Sequence, residues 1–393
     1  MTSSTAHPAD EPANDPAVPA ITQGLHGPMA QALALAQAAV RTVPPNPAVG
    51  CVILAPDGRL LGQGQTQRTG GPHAEVMALR DAHARGHSVA GATAYVTLEP
   101  CSHHGRTGPC CDALIAAGIG KVVAAIADPN PRVAGQGFER LRAAGIDVEV
   151  GPGADASREL NIGFFSRMVR QTPWVRMKVA ASLDGKTGLH NGVSKWITGP
   201  AARADGHAWR ARAGAILTGV GTVIEDDPML DVRLVETERQ PPLVVVDSRL
   251  QTPPAAHILS GARPVWIYAA ERDEPRAAAL EARGATVVCL PNAQGKVDLP
   301  AMLADLGRRE VNELHVESGH KLNGSLLREG LVDELLVYLA PKLIGSGLEM
   351  ASQSQPGGPL TELTGALPLE FRSVDLIGPD LRIVARVAGR GDF

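Results

Sequence analysis

The chain has 393 residues, with 37 Lys and Arg against 41 Asp and Glu and a formal net charge of −4. That length favours two domains, and 44% hydrophobic with 20% charged residues suits a globular protein with a substantial core. No stretch approaches the roughly 18 consecutive apolar residues of a membrane span, and a near-neutral chain with 3% aromatics is poorly equipped to hold nucleic acid.

Residues 1–27 are rich in Pro, Ala, Ser and Thr and lack Lys and Arg, which predicts a disordered tail rather than a signal or transit peptide. Met29–Arg41 reads as an Ala/Leu-rich helix ended by Pro44, Pro45 and Pro47. Val49–Leu54 and Leu60–Gly62 read as strands around a Pro56-Asp57-Gly58 turn. Then come a helix over His73–Ala84, a strand over Ala94–Leu98, a helix over Cys110–Ala117 and a strand over Lys121–Ala127. A helix over Phe138–Ala144 and a strand over Ile146–Val150 repeat the alternation, which predicts an α/β sheet with helices on its faces.

The rhythm pauses over Gly151–Pro173, so the expected domains are 28–171 and 172–393. A second series begins with a strand at Val175–Ala180 and a helix at Ala201–Ala213. Strands follow at Ala215–Thr218, Leu243–Val246, Val265–Tyr268, Thr286–Leu290, Glu313–Val316 and Glu334–Leu339. Helices are expected at Arg276–Arg283, Leu299–Gly307 and Leu322–Glu329. No repeat of 20–50 residues is visible.

Five cysteines are too few and too odd in number for a disulfide framework, and Cys101, Cys110 and Cys111 fall within eleven residues. Clustered thiols in a reduced compartment point to a metal, and a cytoplasmic location is expected. His73, Cys101 and Cys110 suit tetrahedral zinc and leave a fourth position for water. Glu75 then stands where a carboxylate can move that water's protons, in the H-x-E…P-C pattern of zinc deaminases. Cys111 diverges from Cys110 at a helix start, so Cys110 is taken as the ligand. A closed structural knot using His103, His104 or Cys111 is the alternative, but it gives Glu75 no purpose.

Eight residues, not two, separate Cys101 from Cys110. With HAEVMALR, GATAYVTLEPCSHHGRTGPCCDALIAAGI, ADPNP and Asn46 in PPNPAVGCV, this half resembles the deaminase half of the bifunctional riboflavin-biosynthesis deaminase/reductases. The resemblance implies a cytidine-deaminase-like three-layer αβα domain, zinc on His73, Cys101 and Cys110, and Glu75 as proton shuttle. It also implies hydrolytic loss of an amino group from a phosphoribosylamino diaminopyrimidinone.

In the second half, Gly219-Val220-Gly221-Thr222 alone is weak evidence for a dinucleotide. The turn Glu317–Ser325 between strand and helix is a better pyrophosphate candidate, and Arg210 and Arg233 could clamp a phosphate. VRMKVAASLDGKT, VSKWITGPAAR, AILTGVGTVIEDDPMLDVR, HVESGHKLNG and LVDELLVYLAPKLIG are similar to the reductase half of the same family. That resemblance implies a dihydrofolate-reductase-like α/β domain using NADPH. The cofactor is expected near Ala180, Trp196, Thr222, Asp226, Ser248 and the turn Gly319, His320, Lys321, Leu322, Asn323, Gly324 and Ser325, with Ser248 beside the 2′-phosphate. The ribose-phosphate substrate is expected at Ser194, Arg210, Leu230, Arg233 and Glu317. The resemblance covers residues 28 to about 388 and implies small-molecule substrates, no nucleic acid or membrane partner, and a homo-oligomer, dimer or tetramer. A nucleic-acid base deaminase would instead show the short cysteine spacing and a basic, aromatic surface. A zinc-stabilised nucleotide sensor would lose nothing on Glu75→Gln.

Overall fold

The computed structural model describes residues 25–102, 108–131, 133–352 and 360–393. The expected tail up to residue 24, and the loop histidines His103 and His104, lie outside the described residues. Leu25 is already packed against the first helix's core cluster, so packing begins slightly before the expected boundary at residue 28.

The first half contains α1 (Pro28–Ala39), β1 (Gly50–Leu54), β2 (Leu60–Gln65), α2 (Ala74–Ala84), β3 (Thr93–Val96), α3 (Cys110–Ala116), β4 (Lys121–Ala124), α4 (Gln136–Ala143) and β5 (Asp147–Val150). Its sheet runs β2-β1-β3-β4-β5, antiparallel across β2, β1 and β3 and parallel from β3 to β5. The two-residue period of a strand sends neighbours to opposite faces. Cys51 and Ile53 meet Ala78, Leu114 and Leu141 on one face, while Val52 meets Met29 and Leu33 on the other. Helices therefore cover both faces, giving three layers.

Two helices, α5 (Ala154–Leu160) and α6 (Ile162–Arg170), occupy the stretch where sequence periodicity shows only a pause. Gly151 and Gly153 take positive φ before α5, and Asn161 interrupts the helical run, so each piece is too short for a clear 3.6-residue pattern.

The second half comprises β6 (Trp174–Ser182), β7 (Lys186–Gly188), α7 (Pro200–Arg212), β8 (Ala215–Gly219), α8 (Val220–Asp226), β9 (Leu243–Val246), β10 (Val265–Ala269), α9 (Glu274–Glu281), β11 (Ala285–Cys289), α10 (Leu299–Arg308), β12 (Glu313–Val316), α11 (His320–Arg328), β13 (Glu334–Ala340), β14 (Leu348–Glu349), β15 (Leu369–Ile377) and β16 (Asp380–Val387). Nine strands form one sheet in the order β11-β10-β9-β8-β12-β6-β13-β16-β15, and β7 pairs with β14 separately. All neighbours from β11 to β13 are parallel; β13, β16 and β15 are antiparallel. The chain steps outward from β8 to β11, then returns to insert β12 between β8 and β6. Loops at the carboxyl ends of β8 and β12 thus open a crevice where the winding reverses, the usual ligand position in such sheets.

A buried charge network spans both halves. Arg176 joins Glu334 at 2.6 Å and Glu313 at 2.5 Å, and Arg212 adds a fork on Glu313 at 2.8–3.0 Å. Arg386 reaches Glu334 at 3.3 Å and forks onto Glu159 of α5 at 2.8 Å. Trp209 and Trp174 receive the Arg176 and Arg386 guanidiniums on their faces, at 4.4 and 4.9 Å.

Two candidate active sites

The first site forms where α2 and α3 start. His73 is the N-cap residue of α2, Cys101 lies in the loop after β3, and Cys110 opens α3. His73 Nδ1 lies 3.5 Å from Cys101 Sγ and 3.3 Å from Cys110 Sγ, and the three ligand atoms all fall within 4.8 Å of one another. With metal–sulfur and metal–nitrogen bonds of about 2.3 and 2.0 Å, those separations match three corners of a tetrahedron. This trio is the metal-type cluster found among the described residues. The donor set, one imidazole and two thiols, fits zinc, and among the described residues no fourth ligand joins it. Cys111 points away: its thiol donates to the Pro100 carbonyl at 3.1 Å.

Glu75, in the first turn of α2, is 4% exposed and lines the same cleft as His73 and Cys101. Burial, reinforced by the charge of Cys101, pushes its carboxyl up to about 6. Cys101 moves the other way, because the Cys110 thiol and His73 both stabilise its thiolate. His73, Glu75 and Cys101 line a cleft of about 760 Å³ shared with Asn46, Thr66, Asn130, Phe164 and Arg167. Glu99 escapes sequence reasoning, yet it shapes this cleft. Its buried carboxylate accepts the backbone N–H groups of Asp128, Gly135 and Gly137 at 2.8–3.1 Å, tying down Asp128, whose neighbours Asn130 and Pro131 also line the cleft. An acid directly before Pro-Cys was the available signal.

The second site lies at the carboxyl ends of β8, β12 and β6. Gly219 and Gly319 are the N-cap residues of α8 and α11, and neither helix has a side-chain cap. A Cβ on Gly319 would lie 3.8 Å from Thr222 Oγ1, and one on Gly219 would meet Leu322 at 3.2 Å, so the two glycine turns face each other. Gly221 faces open space. Uncapped amides at the start of α11 fit a pyrophosphate. Lys195 pairs with Asp226 at 3.1 Å, which draws the loop carrying Ser194 and Trp196 to this edge. Trp196 is 64% exposed under the Arg203 guanidinium, 4.6 Å from its ring centroid, and is no core aromatic. Ser248, after β9, accepts the Val297 N–H at 3.2 Å, and Ala180 sits on β6 opposite Tyr338.

At four of the expected positions the side chain is engaged within the protein. Asn323 is buried, bonding Ser318 at 2.6 Å and the Met350 carbonyl at 3.0 Å, so its side chain serves the loop after β14. Gly324 is glycine because a Cβ there would lie 2.0 Å from the Ser352 carbonyl; its open face is taken by the chain itself. Leu322 is partly buried, packing against the core beside Gly219. Gly319, His320, Lys321, Leu322 and, one turn later, Ser325 keep part of their surface exposed. Arg210 is no free clamp, because it forks onto Glu317.

Around Glu317 the structure gathers groups that the sequence did not single out. Lys178 Nζ is 3.6 Å from its carboxylate and His315 Nε2 is 3.4 Å away. Burial opposes charge on Glu317, but Arg210 and Lys178 hold its carboxyl well below the usual range. His207 accepts the Arg233 backbone N–H at 3.1 Å, and burial with Arg210 and Arg233 nearby pushes it down to about 4. Arg233 is half exposed and pairs with Asp231. Leu230 buries its side chain, takes φ +48° and accepts Arg263 Nη1 on its carbonyl at 2.6 Å.

Family models agree with this division of labour. One described as the RibD C-terminal domain matches residues 173–383, and one described as the cytidine and deoxycytidylate deaminase zinc-binding region matches residues 25–126. The chain is 46% identical over 365 residues to the riboflavin biosynthesis protein RibD of Escherichia coli (strain K12), covering 90% of this chain and 96% of that protein. It is 40% identical over 355 residues to the Aquifex aeolicus protein of the same name, covering 90% and 96%. The solved RibD of Acinetobacter baumannii superposes with a TM-score of 0.82 at 39% identity, covering 92% of this chain and 98% of that one. A Thermotoga maritima structure described as a diaminohydroxyphosphoribosylaminopyrimidine deaminase/5-amino-6-(5-phosphoribosylamino)uracil reductase gives 0.81 at 32% identity, covering 92% and 97%.

Proposed function

Because the chain belongs to the RibD family of riboflavin biosynthesis, we propose that it runs two successive reactions in the two clefts described above, with the division near residue 172. It is a bifunctional enzyme, a zinc-dependent deaminase joined to an NADPH-dependent reductase. The proposed substrate is 2,5-diamino-6-hydroxy-4-(5-phosphoribosylamino)pyrimidine, which loses ammonia and is then reduced to 5-amino-6-(5-phosphoribitylamino)uracil. One observation carries the reading: a His–Cys–Cys trio with no fourth ligand among the described residues, a buried carboxylate beside it, and a cleft large enough for the substrate.

In the first cleft, His73, Cys101 and Cys110 would hold the metal. Zinc bound there supplies the acidification of water that hydrolysis needs near neutral pH. Glu75 takes a proton from the attacking water and delivers it to the departing amine, so that C–NH₂ and H₂O become C=O and NH₃. In the second cleft, the α11 start, Thr222, Asp226 and Ser248 would hold the dinucleotide, and Trp196 would cover it. NADPH, when bound, supplies hydride to C1′ of the ring-opened ribosyl imine. Arg233, Ser194 and the Glu317–Arg210–Lys178 group orient the phosphorylated sugar.

A cytoplasmic setting is supported by five unpaired cysteines, two of them in the trio that needs reduced thiols. No described helix is long and apolar enough to cross a membrane. Homo-oligomer formation is supported by β15, an edge strand exposing Leu369, Phe371, Val374 and Leu376.

The test supplies purified protein with the phosphorylated diaminopyrimidinone. Ammonia release should proceed without NADPH, and NADPH oxidation should require the deaminated product. Glu75→Gln should cut ammonia release by about 10²-fold or more at unchanged zinc content. Full deaminase activity in that variant would remove Glu75 from the mechanism.

A further inference from the structure

We propose that Asn312 and Arg167, which lie outside the deaminase sheet, are positioning residues for deamination. They hold the loop Pro44–Pro47 so that Asn46 faces the first cleft. The proposal rests on reading that cleft as the deaminase site.

The loop is short of its own anchors. Pro44, Pro45 and Pro47 have no N–H, so the loop must be held chiefly through its carbonyls. The Asn46 N–H closes locally on the Val43 carbonyl at 2.9 Å. From the deaminase side, the Thr69 hydroxyl donates to the Val43 and Pro44 carbonyls at 3.3 and 3.2 Å. The Pro45 carbonyl is held by one donor from each half of the chain. Asn312, directly before β12, donates its Nδ2 at 2.8 Å, and Arg167 of α6 donates Nη2 at 3.4 Å. Arg167 Nε also donates to Asn312 Oδ1 at 2.6 Å, so the amide is oriented at both ends.

Close packing fixes this seam. A Cβ on Gly163 would lie 2.7 Å from the Asn312 carbonyl oxygen and 2.5 Å from Glu313 Cγ, so glycine alone lets α6 approach β12 this closely. Asn312 is 8% exposed, and only a void of about 20 Å³ remains between Asn46, Asn161, Arg212 and Glu313. Arg167, Gln171 and Glu310 themselves line the far wall of the deaminase cleft. Asn46 lines both the void and the cleft, so its amide presents a donor and an acceptor to a bound ligand from a backbone that the reductase half fixes.

The experiment uses the full-length zinc enzyme with Asn312→Ala and Asn312→Asp; the aspartate keeps the acceptor for Arg167 but lacks the donor to Pro45. Both variants should raise the deamination KM about tenfold with kcat changed much less, the loss of one buried hydrogen bond acting on substrate placement. Zinc content should hold, and reduction of separately supplied deaminated substrate should stay within about twofold. Unchanged deamination KM in both variants overturns the proposal. So does a proportionate loss in both half-reactions, which would assign the seam to stability of the whole chain. Glu75→Gln runs alongside: if it still deaminates, the reading of the cleft fails rather than the role of the seam.

Discussion

Arg210 lays its guanidinium fork on the carboxylate of Glu317, with Nη2 2.9 Å from Oε2, while Nη1 donates to the Asp231 carbonyl at 2.9 Å. The pair is nearly sealed from water, whereas Arg233, two residues beyond Asp231, leaves about half of its side chain exposed. Two arginines that look interchangeable in sequence therefore do different work.

Removing the first should cost stability. Arg210→Ala strands a buried carboxylate, and a loss of about 3 kcal/mol in denaturant unfolding is expected. Arg233→Ala should change stability by less than about 0.5 kcal/mol. It should instead raise the KM of the reductase substrate about tenfold. An unchanged KM would show that Arg233 does not hold the phosphate.

Chelation should separate the reactions. The trio His73, Cys101 and Cys110 lies in the first half, and no described reductase-site residue belongs to it. Prolonged dialysis against a strong chelator should end ammonia release while NADPH oxidation on deaminated substrate continues, with zinc restoring the first. Loss of both rates with the fold intact by circular dichroism would contradict this separation.

Acid should loosen the protein in two stages. Burial opposes ionisation of Glu313, yet Arg212 and Arg176 outweigh it and hold its carboxyl at about 2. A depressed carboxyl pKa stabilises the fold above the ordinary carboxylate range, and that contribution disappears as pH falls from about 4.5 towards 2. His207, pushed down to about 4, acts earlier: the unfolded chain takes up its proton below about 6.5, so stability falls between about 6.5 and 4. Melting temperature against pH should decline through both windows. Glu313→Gln should flatten the lower one at the cost of a lower plateau; an unaltered lower limb would exclude Glu313 as its source.

The exposed edge offers a separate check. Phe371 is 73% exposed on β15. Phe371→Lys should shift the mass measured by light scattering towards a single chain, leaving zinc content unchanged. An identical mass would move the contact between copies elsewhere.

The first site was legible because its chemistry is nearly contiguous: His73 and Glu75 share one turn, and the thiols carry a distinctive spacing. The parallel strands were legible as apolar runs such as Leu243–Val246. Lys178, His207 and Glu99 were not, since their roles arise from partners 139, 26 and 29 positions away in Glu317, Arg233 and Asp128. A lysine and an arginine inside the apolar run VRMKVAAS were the one hint. The strands β15 and β16 went unread; on β15 the apolar residues face outward, against the rule that alternation follows burial.

The charge network running from Glu159 through Arg386, Glu334 and Arg176 to Glu313 and Arg212 has a bearing on recombination. A chimaera with its breakpoint at residue 172 would take Glu159 from one parent and the other five charges from the second. Such a hybrid should tolerate the splice only where both parents carry matching signs at the seam, and the safer breakpoint lies before α5, so that the acid travels with its arginine.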